Sequence, residues 1–154
     1  MRKIIPYGKQ SISKSDINNV VKVLKGDYLT TGPLVEKFEK KFRNKVNSKY
    51  AVSCSSGTAA IHLVLLSIKL KKGDNVIIPA INFISAANLV STTGANIFLA
   101  DVDKNTGQMS PSNLLNCIKN NNLKRIKAVF TMYNGGTPNN IKEIYNIKKK
   151  FNFF

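Results

Sequence analysis

Cysteine, histidine and acidic side chains are all scarce in this sequence, and each shortage excludes a class of protein. The two cysteines, Cys54 and Cys117, lack the spacing of a metal site and are too few for a disulfide framework. His62 is the only histidine, and we expect it to be structural because no triad partner is indicated. No apolar run could span a membrane, and the start lacks the apolar segment of a signal peptide. We therefore expect a cytoplasmic protein.

The shortage of acidic residues leaves a formal net charge of +16, from 24 Lys and Arg against 8 Asp and Glu. Such a charge suits nucleic acid, an anionic membrane or a phosphorylated substrate. The lysines are spread along the chain, without the Arg-rich block or interleaved aromatics of RNA-binding proteins. We expect neither nucleic acid nor a membrane as partner. The nucleic-acid alternative predicts a clustered basic face and binding that falls steeply with salt.

The hydrophobic pattern predicts an α/β protein. Residues 1–48 contain two amphipathic helices: one begins after Ser13, which forms a near capping box with Asp16, and one begins at Pro33. Residues 49–154 alternate apolar strands with helices. Strands are predicted at residues 50–52, 75–79, 97–102 and 126–130, and helices from residue 59 and at 84–93, 110–118 and 141–150. This alternation predicts a mostly parallel sheet with helices on both faces.

Residues 50–70, YAVSCSSGTAAIHLVLLSIKL, form the central motif: a short strand, a turn of small polar residues and a helix. Such a turn points free backbone N–H groups and the positive end of a helix dipole at one spot, which suits a phosphate. The spacing matches neither the dinucleotide-binding nor the P-loop pattern. An ordinary serine-capped turn without a ligand is the alternative.

Two other segments, DVDKNTG and the terminal FNFF, carry recognisable local patterns. The stretch DVDKNTG resembles a calcium loop through Asp101, Asp103 and Asn105, but Thr106 and Ser112 occupy the positions that need Gly and Glu. We interpret it as the turn that leaves a strand. The terminal FNFF follows a helix and should begin another buried strand, which predicts an incomplete chain with an exposed sheet edge.

Several motifs occur in an order and spacing that resemble one family. They are IPYGKQSI, DYLTTGP with FEKKF, AVSCSSGTAAIHL, GDNVIIPAINFISAAN and GANIFLADVD. Together they are similar to the N-terminal part of the nucleotide-sugar aminotransferases of the DegT–StrS family, and the opening is similar to transaminases that make UDP-linked diamino sugars. The resemblance implies the N-terminal half of the large domain of the aspartate-aminotransferase fold (fold type I) over residues 1–154. It also implies pyridoxal 5'-phosphate as cofactor, glutamate and a keto-sugar nucleotide as substrates, and a homodimer at full length.

The resemblance also assigns candidate site residues. The turn of Gly57, Thr58 and Ala59 matches the segment that holds the cofactor phosphate, in agreement with the anion site above. Phe83 matches the aromatic residue that stacks on the cofactor ring, although by itself it would be expected in the core. The positions that match contacts to the sugar nucleotide are Tyr7, Asp27, Tyr28, Leu29 and Thr30; simple loop packing is their alternative.

The sequence departs from the family in two places. Tyr133 and Asn134 precede Gly135 where many members carry a histidine, which affects substrate detail. No lysine here lies in the context expected of the Schiff-base lysine, and the acidic residue that pairs with the pyridine nitrogen is also absent. We therefore assign no catalytic residue and expect no transaminase activity from these 154 residues alone. A dehydratase of the same family and a non-catalytic remnant or binding module remain alternatives.

Overall fold

The computed structural model of this protein describes residues 8–154, and the chain divides into two units after Ser53. The first unit holds helices α1 (Lys14–Leu24) and α2 (Pro33–Lys45). The second unit holds helices α3 (Gly57–Ser67), α4 (Ser85–Thr92), α5 (Pro111–Asn120) and α6 (Ile141–Phe151), and strands β1 (Asn75–Pro79), β2 (Asn96–Ala100) and β3 (Ala128–Val129). No helix among the described residues is long and apolar enough to cross a membrane.

The helices of the first unit begin where the sequence predicts. Ser13 and Asp16 form the capping box: Ser13 Oγ accepts from the N–H of Asp16 at 3.2 Å, and Asp16 Oδ2 accepts from the N–H of Ser13 at 2.7 Å. Pro33 occupies the first turn of α2, where its missing N–H costs nothing. Neither helix contains a buried residue. Phe38 and Phe42 stack on each other, with ring centroids 6.1 Å apart, yet both remain more than half exposed.

The second unit is built on a parallel sheet of order β2–β1–β3, as predicted. On β1, Ile77 lies opposite Phe98 of β2 and Val129 of β3. The ladder between β1 and β3 continues beyond the two residues of β3, because the N–H groups of Lys127 and Phe130 donate to carbonyl oxygens of β1 at 2.8 and 2.9 Å. Strand β1 is therefore the buried centre of the sheet.

Helices cover both faces of this sheet, which confirms the predicted fold class. Because side chains alternate along a strand, Val76 and Ile78 lie on one face of β1 and Ile77 on the other. The first pair packs in a cluster with Leu65 of α3 and with residues of α4. Ile77 packs in a second cluster with residues of α5 and α6. Both clusters consist of fully or nearly fully buried apolar side chains, whose removal from water drives the folding of this unit.

The predicted strand at residues 50–52 is wrong. Tyr50 and Val52 are 72% and 74% exposed, and the segment forms no ladder with a described strand. A strand forms only where a neighbouring strand supplies its hydrogen bonds, so the β-propensity of these residues alone does not make the segment a strand. The strand predicted to reach residue 102 ends at Ala100, because the Asp101 carboxylate accepts from the N–H of Val102 at 2.8 Å and competes with the ladder.

The FNFF segment lies against the β3 edge of the sheet. Phe153 is only 5% exposed and belongs to the cluster under α5 and α6. The N–H of Phe154 donates to Lys127 O, and its carbonyl oxygen accepts from the N–H of Val129, both at 3.0 Å. These two bonds are those of a parallel pair opposite Ala128. The prediction of a buried strand is thus correct for the side chain of Phe153, which is buried, and for the backbone of Phe154, which pairs with the sheet.

Candidate functional site

The turn before α3 leaves backbone donors available to an anion. Ser56 caps the helix, since its Oγ accepts from the N–H of Ala59 at 3.1 Å and its carbonyl oxygen from Ala60 at 3.0 Å. Among the residues that the structure describes, no acceptor bonds the N–H groups of Gly57 and Thr58. These donors lie at the positive end of the α3 dipole, an arrangement that favours a phosphate.

The same turn is open to solvent. Gly57 and Thr58 are exposed and Ala59 is half-buried. A Cβ placed on Gly57 would meet nothing within 4 Å, so the fold itself does not require a glycine there. A glycine at this position therefore keeps the first turn of α3 free of side-chain bulk. Thr58 also carries a hydroxyl group, which can donate a hydrogen bond.

A carboxylate of α2 fixes the chain just before this turn. Glu39 Oε1 accepts hydrogen bonds from the N–H of Ser53 at 2.7 Å and from its Oγ at 2.8 Å. The bond from the Ser53 N–H is the main reason that the pKa of the Glu39 carboxyl lies below its ordinary value. Our sequence reasoning missed this pair. Glu39 belongs to the polar side of an amphipathic helix, and no local pattern connects it with Ser53.

Phe83 is a large aromatic residue that the fold leaves unburied. Its side chain is 67% exposed, in the loop between β1 and α4, so it is no core residue. The side chain of Asn82 accepts a hydrogen bond from the Phe83 N–H at 2.7 Å and thereby helps to order the loop. An exposed ring offers a face for stacking against another planar group.

Topology brings the Phe83 loop and the turn before α3 to the same edge of the sheet. Phe83 follows the carboxyl end of β1. Helix α3 connects through residues 68–74 to the amino end of β1 and packs on the same face as α4. Its N-terminus therefore points towards the carboxyl ends of the strands, where open α/β sheets bind their ligands. Gly57, Thr58, Ala59 and Phe83 thus belong to one edge of the second unit.

The loop of Asp27, Tyr28, Leu29 and Thr30 belongs to the first unit. All of these residues are exposed, and Asp27, Tyr28 and Leu29 line a cavity of about 460 Å³ together with residues of α1 and α2. Within the loop, Gly32 gives room to Tyr28, whose Cβ would lie 2.7 Å from a Cβ at position 32. Tyr7, the remaining candidate for sugar-nucleotide contacts, lies outside the described residues.

One residue of this loop has an unfavourable backbone conformation. Thr31 has φ +48°, in the left-handed region that β-branched residues rarely adopt. Such strain persists only where the surrounding structure holds it, and it is often found in ligand-binding loops.

The loops after β2 and β3 also meet at this edge of the second unit. In the first of them, Asp103 Oδ1 accepts hydrogen bonds from the N–H groups of Asn105 and Thr106, each at 3.0 Å, and these bonds lower the pKa of the carboxyl. Asp103 thus closes the turn that leaves β2. Our sequence reasoning missed Gln108, a buried polar side chain between these two loops, because its partners are distant in sequence.

No metal site and no disulfide involve the described residues. Within residues 8–154, no group of three or more His, Cys, Asp or Glu side chains could hold a metal ion. Cys54 is free and exposed, whereas Cys117 is free and buried, and burial raises the pKa of its thiol. His62 is exposed on α3.

Comparison with known proteins gives a family match over almost the whole chain. Residues 10–154 match the family model described as the DegT/DnrJ/EryC1/StrS aminotransferase family. The chain is also 32% identical over 150 residues to the uncharacterised protein MJ1066 of Methanocaldococcus jannaschii, an alignment that covers 97% of this chain and 38% of the relative.

Three solved structures share the fold. The aminotransferase from Psychrobacter cryohalolentis has a TM-score of 0.85 at 26% identity, over 97% of this chain and 38% of that one. The DegT/DnrJ/EryC1/StrS aminotransferase from Brucella abortus has 0.80 at 26%, over 91% and 40%. The Escherichia coli GDP-4-keto-6-deoxy-D-mannose-3-dehydratase with bound hydrated PLP has 0.83 at 28%, over 94% and 38%. The chain therefore spans about two fifths of the length of these relatives.

Proposed function

Because this chain belongs to the DegT/DnrJ/EryC1/StrS aminotransferase family, we propose that it is the cofactor-binding part of a pyridoxal phosphate-dependent sugar aminotransferase. The observation that carries the proposal is the first turn of α3, where Gly57 and Thr58 present free backbone donors at a helix N-terminus. The similarity to the E. coli dehydratase, whose structure holds hydrated PLP, supports the choice of cofactor.

The chain's own residues fit this cofactor. The N–H groups of Gly57 and Thr58 and the Thr58 hydroxyl hold the phosphate, and the small side chain of Ala59 leaves them accessible. Phe83, with its ring largely exposed, stacks on the pyridine ring and limits its rotation. When bound, pyridoxal phosphate supplies the electron sink that amino transfer requires. The residues described here orient that group, and none of them is assigned a proton-transfer step.

The proposal extends to the substrates. Glutamate is the amino donor, and a keto sugar linked to a nucleotide is the acceptor. The loop of Asp27, Tyr28, Leu29 and Thr30 contacts the sugar nucleotide, together with Tyr7. We further propose that the whole protein works as a cytoplasmic homodimer and makes amino sugars for cell-surface polysaccharides or glycans. Light scattering at several protein concentrations tests the dimer.

Two other functions agree with particular observations. The 28% identity to the E. coli 3-dehydratase favours a sugar dehydratase as the second candidate. A non-catalytic binding module is the third candidate, and the two free backbone donors at the N-terminus of α3 agree with it. Assays with glutamate and a keto-sugar nucleotide separate the three: an aminotransferase forms an amino sugar, a dehydratase removes a sugar hydroxyl as water and leaves a product without an amino group, and a binding module does neither. We expect the 154-residue chain alone to bind without turnover.

The test of the cofactor site is calorimetric titration with pyridoxamine 5'-phosphate. This form of the cofactor carries no aldehyde, so it does not react with the many surface lysines. We expect saturable binding with one site per chain. Pyridoxamine without the phosphate should bind at least about tenfold more weakly, because it loses the charge-assisted hydrogen bonds at the helix N-terminus.

Variants at the two ends of α3 localise the binding. Thr58→Ala should weaken pyridoxamine 5'-phosphate binding by about tenfold, the effect of losing one hydrogen bond to a charged group. Ser67→Ala is the matched control, since the Ser67 hydroxyl donates to Val64 O at the far end of the same helix. Its affinity should equal that of the wild type. Equal affinities for the phosphorylated and unphosphorylated ligands would contradict the proposed site.

A further inference from the structure

Gln108 is a buried amide that connects two loops at the carboxyl edge of the sheet. Only 6% of the residue is exposed. Its Nε2 atom donates to Thr137 O at 3.0 Å and lies 3.5 Å from Asn134 O, while its Oε1 accepts from Asn139 Nδ2 at 3.4 Å. A single side chain from the loop after β2 thus holds the loop after β3 at both ends of its Asn134–Gly136 turn.

Asn134, in the loop after β3, forms a hydrogen bond back to the loop after β2. Its Nδ2 atom donates to Gly107 O at 3.2 Å. Gly107 has φ +65°, and a Cβ at this position would lie 3.2 Å from Asn134 Nδ2 and 3.9 Å from Ile81 Cδ1. Ile81 belongs to the loop after β1, two positions before Phe83. The loops after all three strands therefore approach one another around Gly107.

Packing alone does not explain an amide at position 108. The neighbouring Met109 is buried as well, and an apolar side chain of similar size would fill the same space without polar atoms to satisfy. An amide requires its partners at defined positions and directions, and a fully satisfied buried amide selects one arrangement of the loops. The side chain of Gln108 meets this condition, because both of its polar ends have partners.

We propose that Gln108 is a positioning residue for the ligand site, holding the Asn134–Gly136 turn and, through Gly107 and Ile81, the Phe83 loop in the arrangement that binds the cofactor ring. This inference rests on the proposed function. Gln108 acts through these loops and does not itself contact the ligand. The Asn134–Gly136 turn thereby gains a defined place beside the ring.

The experiment compares Gln108→Leu with a variant that is destabilised elsewhere. Gln108→Leu keeps the size of the side chain and removes its hydrogen bonds. Ile118→Val, in a nearly fully buried position of α5, loses one methylene and removes none of the hydrogen bonds between the loops. Pyridoxamine 5'-phosphate affinity is measured by calorimetry for each, and the circular dichroism of the ligand is recorded at saturation, because this signal reports how the ring is held.

We expect Gln108→Leu to bind pyridoxamine 5'-phosphate about tenfold more weakly, as for one misplaced interaction, and to change the dichroism of the saturated ligand. Ile118→Val should bind with an affinity within about twofold of the wild type, which is a smaller change than the loss of about tenfold expected for one lost interaction. Asn134→Ala should reproduce the effect of Gln108→Leu, and the double variant should be no weaker than the worse single variant.

The outcomes separate the two proposals. If the wild type binds the ligand and Gln108→Leu shows the same affinity and the same dichroism, the inference is overturned. The proposed function is then left intact. Equal losses in Gln108→Leu and Ile118→Val also overturn it, since stability alone would then account for them. Absence of binding by the wild type overturns the proposed function and this inference together.

Discussion

Glu39 and Ser53 are joined by two hydrogen bonds, because Oε1 of Glu39 accepts from both the N–H and the Oγ of Ser53, at 2.7 and 2.8 Å. The carboxylate is the acceptor, so the pair is strongest when Glu39 is ionised. Ser53 precedes Cys54 and the turn that caps α3. The pair thus fixes the last residue of the first unit to α2.

We predict that this anchor weakens in acid. The pKa of Glu39 is lowered in the folded state, mainly by the N–H of Ser53, so its stabilising effect is full above the unfolded-state pKa and is lost as the pH falls through the folded-state value. The wild type should therefore lose stability relative to Glu39→Gln below about pH 4.5. Thermal melting of both proteins across that range measures the difference.

The effect should be small, because Glu39 is exposed to solvent. Glu36→Gln is the control: Glu36 lies on the same helix and accepts no hydrogen bond from Ser53 in the described structure. It should leave the pH dependence as in the wild type. A difference in melting temperature between the wild type and Glu39→Gln that stays the same at every pH would contradict the assignment.

Phe83 should matter for binding and not for stability. Because its side chain is 67% exposed, Phe83→Ala should change the free energy of unfolding by no more than about 0.5 kcal/mol. The loss of a stacking interaction of about 0.5–1.5 kcal/mol should weaken pyridoxamine 5'-phosphate binding roughly two- to tenfold. Ile84→Ala, equally exposed at the next position, is the control for binding. Loss of several kcal/mol of stability in Phe83→Ala would show that the ring is a core residue after all.

Thr31→Gly should stabilise the protein. The left-handed conformation of Thr31 costs roughly 1–2 kcal/mol, whereas introducing glycine costs roughly 0.4–1 kcal/mol through the unfolded state. The net expectation is a gain of about 1 kcal/mol or less, read from urea denaturation. Thr30→Gly, without the positive φ, should be destabilising instead. A loss in both variants would contradict the strained backbone.

Substitutions on two paired strands of the sheet should differ in their effect on stability. Ile77 is fully buried on β1, so Ile77→Ala should cost about 2–5 kcal/mol of unfolding free energy. Leu99, on the neighbouring β2, is 64% exposed, and Leu99→Ala should change stability by about 0.5 kcal/mol or less. Chemical denaturation of the two variants checks this difference in burial. A large loss of stability in Leu99→Ala would contradict the exposed position of its side chain.

Local rules in the sequence predicted the local structure well. Ser13 with Asp16, Pro33, and the continuous apolar run of β1 each carry their signal within a few residues, and each forms the predicted element. The turn before α3 is recognisable as a candidate anion site for the same reason, because free donors at a helix N-terminus follow from the backbone alone.

Features that depend on distant partners were not predictable in this way. Residues 50–52 have the composition of a strand, but a strand needs a neighbour, and that neighbour is not encoded locally. The pairing of Glu39 with Ser53 and the burial of Gln108 depend on how helices and loops pack. Phe83 is exposed because the loop after β1 carries it away from both core clusters, which its hydrophobicity alone would not indicate.

The most direct test of the account is the NMR spectrum of the ¹⁵N-labelled chain during titration with pyridoxamine 5'-phosphate. The account predicts that the amide signals of Gly57 and Thr58 shift the most, with a single dissociation constant, and that the signal of Phe83 shifts with the same constant. Shifts that are spread over the lysine-bearing surface without saturation, while Gly57 and Thr58 stay unchanged, would contradict the cofactor site.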